Sequence, residues 1–177
     1  EGNIQAIQQL AGHLGIPEEE IKKQSSDAPE FVPWAMKYVE DYNTVAYCLG
    51  LCDRPVILNA LSIGTMTEIY NAATGLDLSS EDLLRAGRRI WNLEKAWVTL
   101  QGQRRKDDYP PERFYREESK TLGGNYPPLN RETFEQILNR YYEAQGWDIQ
   151  TGVPKADTLT SLGLDQMARD IARYVPV

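Results

Sequence analysis

The stretch SSEDLLRAGRRIWNLEKAWVTLQG, residues 79–102, carries the clearest helical pattern in the chain. Ser79 and Asp82 resemble a capping box, in which Asp takes the place of the usual Glu or Gln. Apolar residues then recur at the spacing of an amphipathic helix, and Gly102 ends the pattern. The apolar stripe consists of Leu83, Leu84, Gly87, Ile90, Trp91, Trp97 and Val98. The polar side is expected to hold Arg85, Arg89 and Asn92.

Glu94 falls within this apolar stripe and is the one exception to the pattern. A buried acid with a raised pKa is a group that active sites use, so Glu94 is a candidate for such a role. An ion pair with a nearby basic side chain is the simpler interpretation, and we expect it here. Trp91 and Trp97 are predicted to belong to the core.

The same spacing predicts helices after this stretch. Asn130 suits an N-cap and Gly146 a C-terminal stop, so one helix is predicted between them. Its inward face is expected to hold Phe134, Ile137, Leu138, Tyr141 and Tyr142. Two short helices, near 155–162 and 165–174, are predicted to finish the chain.

Helical spacing also precedes the stretch. A long helix is predicted from about Pro33 to Leu49, and another from Thr65 to Ala73. Nearer the start, helices are predicted over 4–14 and from Pro17 onward, since proline suits a first helical position.

The segment from Gln103 to Asn130 lacks any periodicity and contains four prolines. A connection of this length inside one domain is uncommon and is usually functional or mobile. The sequence therefore predicts an all-α fold: an irregular helical domain of roughly six to eight helices with one long loop. We expect residues 1–177 to form a single domain.

The composition restricts the classes of function. The chain has 177 residues and a net charge of −7, which argues against a nucleic-acid partner because phosphate binding needs a basic surface. No apolar run approaches the roughly 20 residues that a membrane span requires, and no signal peptide is visible. Two cysteines are too few for a disulfide framework, so a cytoplasmic location is expected.

Both cysteines lie in the segment Tyr47-Cys48-Leu49-Gly50-Leu51-Cys52, where a helical pattern stops at a glycine. Both could be small buried apolar residues, since cysteine is often buried. Alternatively, one thiolate could complete a metal cluster whose other ligands lie elsewhere. Two thiols cannot hold a zinc ion or an iron–sulfur cluster alone, because such sites need about four ligands.

Several short segments between about residues 31 and 165 carry a combined signature. The segment ending at Cys52 is similar to a D-x-x-G-L-C motif and its preceding helix. Further segments follow it: YNAATG at 70–75, RAGRRIWNLEK at 85–95, RKDD at 105–108, PERF at 111–114, YYE at 141–143, GWD at 146–148 and GVP at 152–154. In this order they resemble the tungsten-dependent aldehyde ferredoxin oxidoreductases, to which the tungsten subunit of aromatic acyl-CoA reductases is similar.

The resemblance implies a complete enzyme that oxidises aldehydes to carboxylates. It would use a tungsten bis-pterin cofactor and a 4Fe–4S cluster, and pass electrons to ferredoxin or another electron-transfer protein. Three cluster cysteines would come from an earlier domain, and Cys52 would be the fourth ligand.

Tyr47, Gly50 and Leu51 are the other cofactor-binding candidates that the resemblance implies. Backbone N–H groups of the turn are expected to bond to cluster sulfurs and pterin. Tyr47 departs from the family, which has aspartate there, and a phenol cannot pair as a carboxylate does. Cys48 takes a variable position of the motif, and we expect it to pack against the core.

The chain is therefore expected to be the C-terminal part of a larger oxidoreductase, with N-terminal domains of the same protein as partners. Alone it should hold no cofactor and have no activity, since one ligand cannot hold a cluster. A helical interaction module that keeps the fold without cofactor is the alternative, and Tyr47 favours it.

Other residues are weaker candidates, and no catalytic residue is assigned. His13 is expected at the surface or in the core. Asp107 and Asp108, beside Arg104, Arg105 and Arg113, could line an opening to the site, although a solvated ion-pair loop is the favoured interpretation.

Overall fold

Six α-helices make up most of the part of the molecule that the structure describes. The computed structural model describes residues 28–52, 61–121 and 124–175. The helices are α1 (Ala28–Cys48), α2 (Ile63–Thr74), α3 (Ser80–Leu100), α4 (Arg131–Gln145), α5 (Ala156–Ser161) and α6 (Asp165–Tyr174). The all-α prediction is confirmed, whereas the helices predicted at 4–14 and from Pro17 lie outside the described residues, as does His13.

The helix ends follow the capping chemistry of the sequence. Ser79 and Asp82 form the predicted capping box, since each side chain accepts the other residue's backbone N–H. Asn130 caps α4 by accepting the N–H of Thr133 at 2.9 Å. Gly146 ends α4 in the left-handed conformation, which glycine adopts without steric cost.

Helix α1 begins earlier than predicted. The sequence placed its start near Pro33 because proline is common in a first helical turn. The structure starts the helix at Ala28 and keeps Pro33 inside it. Phe31, which is fully buried, thereby joins the core in the turn that the prediction omitted.

Helix α3 contacts α1, α2, α5 and α6, while α4 packs against α1. Between α1 and α3 the backbones approach closely at Gly87. A Cβ placed there would meet Val45 Cγ2 at 3.0 Å and the carbonyl carbon of Asp41 at 3.1 Å, with the carbonyl oxygen nearer still. The largest buried cluster surrounds this crossing and includes Phe31, Ala35, Tyr42, Val45, Leu83 and Leu84.

Three predictions for side chains on α3 are wrong. Asn92, predicted on the polar side, is fully buried and accepts a hydrogen bond from Trp147 Nε1 at 2.8 Å. Trp97, predicted in the core, is 58% exposed. Glu94 is exposed and forms no ion pair with the described part of the chain, whereas neighbouring Lys95 is buried. The face of α3 that points inward is therefore rotated towards Asn92 and Lys95. Each of these side chains forms a hydrogen bond with a segment that packs against the helix.

The segment 103–130 is the most irregular described part, as predicted. It contains two short 3-10 helices, Arg105–Asp108 and Glu112–Tyr115. It also contains a small antiparallel hairpin of β1 (Ser119–Thr121) and β2 (Gly124–Tyr126), which the sequence analysis did not predict. Strands of three residues are too short for an alternating pattern to reveal them. No helix in the described ranges is both long enough and apolar enough to cross a bilayer.

Candidate functional site

The predicted cysteine turn lies at the C-terminal end of α1. Gly50 has a φ of +68°, the left-handed conformation that lets the chain reverse after the helix. The N–H of Gly50 donates to Tyr47 O, and the N–H of Leu51 donates to Ala46 O, both at 3.0 Å. This pair of bonds is a Schellman cap, and it determines the position of the chain that leads to Cys52.

The cap changes the expectation for Gly50 and Leu51. Both were expected to offer backbone N–H groups to a cofactor, but these groups already bond to carbonyls of α1. Each N–H therefore donates to a carbonyl group at the end of the helix and does not point to an open site. Tyr47 is 65% exposed, so its phenol lies at the surface.

Cys48 and Cys52 are both exposed. The expectation that Cys48 packs against the core is therefore wrong, because its position at the end of α1 lies off the helix face that carries Val45 and Ala46 inward. The exposed position of Cys52, after a capped turn, suits a thiolate that meets a cluster held by another segment.

The turn alone offers too few ligands to hold a cluster. No group of three or more His, Cys, Asp or Glu side chains with metal-binding geometry occurs in the described ranges. The donor set thus fits a contribution of one thiolate to a shared cluster, and it does not fit a cluster held by the described residues alone.

The acidic loop at 107–108 is more structured than predicted. Asp107 accepts the backbone N–H of Arg104 at 2.9 Å and so caps a 3-10 helix. Asp108 instead points inward, where it accepts hydrogen bonds from Lys95 at 3.0 Å, from Gln103 at 2.9 Å and from Tyr142. Burial would raise the pKa of Asp108, but these hydrogen bonds lower it below the usual range. The solvated loop predicted here is wrong for Asp108.

Two adjacent acids on α1 were missed by the sequence analysis. Asp41, 1% exposed, pairs with Arg88 Nε at 3.0 Å and with Lys37 Nζ at 3.5 Å. Burial raises its pKa in spite of both cations. The sequence feature that could have indicated the burial of Asp41 is its position one residue before buried Tyr42, within the apolar stripe of the helix.

The second acid, Glu40, lies between α1 and α4. It accepts hydrogen bonds from Tyr141 Oη at 2.8 and 3.0 Å and from Gln145 Nε2 at 2.7 Å. Burial raises the pKa of Glu40 to about 7, and the two hydrogen bonds oppose the shift. Its partners are 101 and 105 residues away in sequence, so no local pattern could have revealed them.

Comparison with known families identifies the relationship. Residues 4–164 match the family described as aldehyde ferredoxin oxidoreductase, domains 2 and 3. The chain belongs to the aldehyde ferredoxin oxidoreductase family. The resemblance found in the sequence is therefore confirmed, and it covers nearly all of the chain.

Individual relatives in this family support the assignment. A tungsten-containing aldehyde ferredoxin oxidoreductase of Pyrococcus horikoshii is 34% identical over 130 residues, which is 72% of this chain and 20% of that protein. The aliphatic sulfonate oxidoreductase, WOR-like subunit, of Pyrococcus furiosus is also 34% identical, over 68% of this chain and 20% of its own length. The chain thus spans about a fifth of these relatives.

A solved structure shares the fold. It is the active-site complex BamBC of benzoyl coenzyme A reductase with 1,5-dienoyl-CoA, with a TM-score of 0.65 at 22% identity. The match covers 80% of this chain and 20% of that one. This likeness shows the helical arrangement, while the family assignment rests on the sequence matches.

Proposed function

We propose that this chain is the C-terminal domain of a tungsten–pterin, iron–sulfur oxidoreductase that converts aldehydes to carboxylates with ferredoxin as electron acceptor. The family membership supports this, as does the name shared by several relatives. The observation that carries the proposal for this chain is the exposed thiol of Cys52 beyond the capped end of α1. The cytoplasm is the proposed location, because thiolate ligands need reducing conditions.

Cys52 is the proposed fourth ligand of a 4Fe–4S cluster whose other cysteines belong to N-terminal domains of the same protein. Such a cluster, when bound, carries electrons one at a time from the tungsten centre towards an external acceptor. Gly50 and Leu51 hold the turn that presents the thiol, so their proposed role is to position Cys52. A glycine at position 50 lets the Schellman cap form without strain.

Tyr47 is proposed to face the pterin side of the same surface. Its phenol can donate or accept a hydrogen bond, but it cannot pair as a carboxylate does. It therefore can replace one hydrogen bond of an aspartate, without the ionic contribution. A Tyr47→Asp variant should keep cofactor binding, and a Tyr47→Phe variant should weaken it if the phenol makes the proposed bond.

Metal analysis of the natural protein that carries this chain tests the proposal. Iron near four atoms per cluster and stoichiometric tungsten, with benzaldehyde oxidation coupled to ferredoxin reduction, is the expected result. Protein that contains the N-terminal domains but neither metal would instead support the helical interaction module.

The 177-residue chain alone provides a second test. Anaerobic reconstitution with iron and sulfide should leave it without a cluster, because it supplies one proposed ligand and metal affinity depends on the full set. Stoichiometric binding of about four irons per chain would contradict the shared-ligand arrangement.

A further inference from the structure

A cavity of about 520 Å³ lies between α1, α3 and α4, away from the cysteine turn. Aromatic side chains dominate its wall: Trp91, Phe134, Tyr141, Tyr142 and Trp147. Its volume is within the range of small-molecule sites, which are concave, mainly apolar and equipped with a few polar groups. Glu40 is one of the polar groups that reach this wall.

The Glu40 carboxyl has hydrogen-bond donors but no ion-pair partner among the described residues. Tyr141 and Gln145 donate to it, while the nearest lysine on its own helix, Lys37, bonds to Asp41 instead. No basic side chain of the described ranges pairs with Glu40. Partial burial raises the pKa of Glu40 to about 7, although the hydrogen bonds and the more distant charge of Lys37 lower it.

The one lysine that lines the cavity is already occupied. Lys95 Nζ bonds to Asp108 at 3.0 Å and lies 4.9 Å from the centroid of the Trp147 ring. Glu94 adds an exposed acid to the wall. Since Asp108 and Lys95 pair with each other, Glu40 and Glu94 are the lining acids without an ion pair among the described residues.

Aromatic faces and an unpaired carboxylate favour the same kind of ligand. Ring faces carry negative charge density and attract organic cations, as the contact of Lys95 with Trp147 already illustrates. A ligand ammonium beside Glu40 would form the ion pair that this carboxyl lacks among the described residues, and its apolar body would lie among the rings. An anionic ligand would be repelled by Glu40 and Glu94, and a neutral one would form no ion pair with Glu40.

We propose that this cavity binds a small organic ammonium, a primary amine that carries an aromatic group, with the ammonium against Glu40 and the ring among the aromatic side chains of the wall. The site is distinct from the proposed cluster turn, since the residues from Tyr47 to Cys52 do not line it. Its occupation does not depend on tungsten or iron.

Isothermal titration of the full 177-residue chain with 2-phenylethylamine tests the proposal, with 2-phenylethanol and 3-phenylpropanoate as probes of matched size. The amine should bind at least about tenfold more tightly than the alcohol, because a charge-assisted hydrogen bond is roughly twice as strong as a neutral one. The carboxylate should bind most weakly. Equal affinities for amine and alcohol, or tightest binding of the carboxylate, would overturn the proposal.

Variants then locate the ammonium. Glu40→Gln should weaken amine binding about tenfold and leave binding of the alcohol unchanged, since only the charged contact is lost. Glu94→Gln, on an exposed acid of the same wall, is the matched control and should change either affinity less than about threefold. If Glu40→Gln leaves amine affinity unchanged while circular dichroism shows a folded protein, the assignment to Glu40 is wrong. The comparison of the three probes on the unmodified chain tests the proposal without the use of any variant.

Discussion

Replacing Gly87 by alanine should destabilise the protein although alanine is the better helix former. The added Cβ would lie 3.0 Å from Val45 Cγ2 and 3.1 Å from the carbonyl carbon of Asp41. Favourable contacts between carbon atoms lie at about 3.5–4.0 Å, so α1 and α3 must separate by roughly 0.5–1 Å. The obstacle is backbone of a packed helix, which cannot rotate away as a side chain can.

The magnitude follows from two opposing effects. Alanine in place of glycine favours the helix by about 1 kcal/mol. Overpacking typically costs about 1–3 kcal/mol, and here it also loosens the cluster that contains Tyr42 and Leu84. Subtracting the helix preference leaves a net loss of up to about 2 kcal/mol in the free energy of unfolding, with a lower urea midpoint and an unchanged m-value.

Gly64 of α2 offers a matched control for this experiment. A Cβ there would meet only Ser62 Oγ, at 3.5 Å, which is ordinary contact. Gly64→Ala should therefore leave stability unchanged or raise it by up to about 1 kcal/mol. Urea unfolding followed by circular dichroism at 222 nm measures both variants. If Gly87→Ala were as stable as Gly64→Ala, the close approach of α1 and α3 would be refuted.

Three further predictions test other features. Asn92→Ala should cost about 2–4 kcal/mol in urea unfolding, because it opens a cavity and leaves the Trp147 N–H buried without its acceptor; a loss below about 1 kcal/mol would contradict this bond. Glu40 has a folded pKa of about 7 against a usual 4.5, so the unfolded state ionises first and stability should fall by about 2–3 kcal/mol as pH rises from 4.5 to 7. Glu40→Gln should flatten that part of the profile, and an unchanged slope would show that another group titrates. In the natural protein, Cys52→Ser should abolish most cluster iron and its EPR signal, whereas Cys48→Ser, at an equally exposed thiol, should retain both; the reverse result would reassign the ligand.

The helices were largely predictable because their signals are local. The capping box at Ser79, the N-cap at Asn130 and the glycine stop at Gly146 each act within a few residues, and the structure reproduces them. Side-chain orientation on α3 was harder. Asn92 is inward because Trp147, 55 residues away, donates to it, and nothing near Asn92 in sequence indicates this.

The candidate sites also combine features with a local sequence signal and features that depend on long-range contacts. The turn at Gly50 and the proposed ligand position of Cys52 follow from a contiguous motif, so the sequence could indicate them. The cavity between α1, α3 and α4 depends on contacts between different segments. Tyr141 donates a hydrogen bond to Glu40 across two packed helices, and Lys95 donates one to Asp108. Such pairs depend on tertiary packing, which one sequence does not encode in any local pattern.

The hydrogen bond between Asn92 and Trp147 affects the order in which parts of the molecule unfold. This hydrogen bond connects the middle of α3 with the segment that follows α4, and α4 packs against α1. Amide hydrogens of these three helices should therefore exchange with deuterated solvent as one slow cooperative unit. The hairpin β1–β2, whose described side chains are exposed, shares little of that protection and should exchange first.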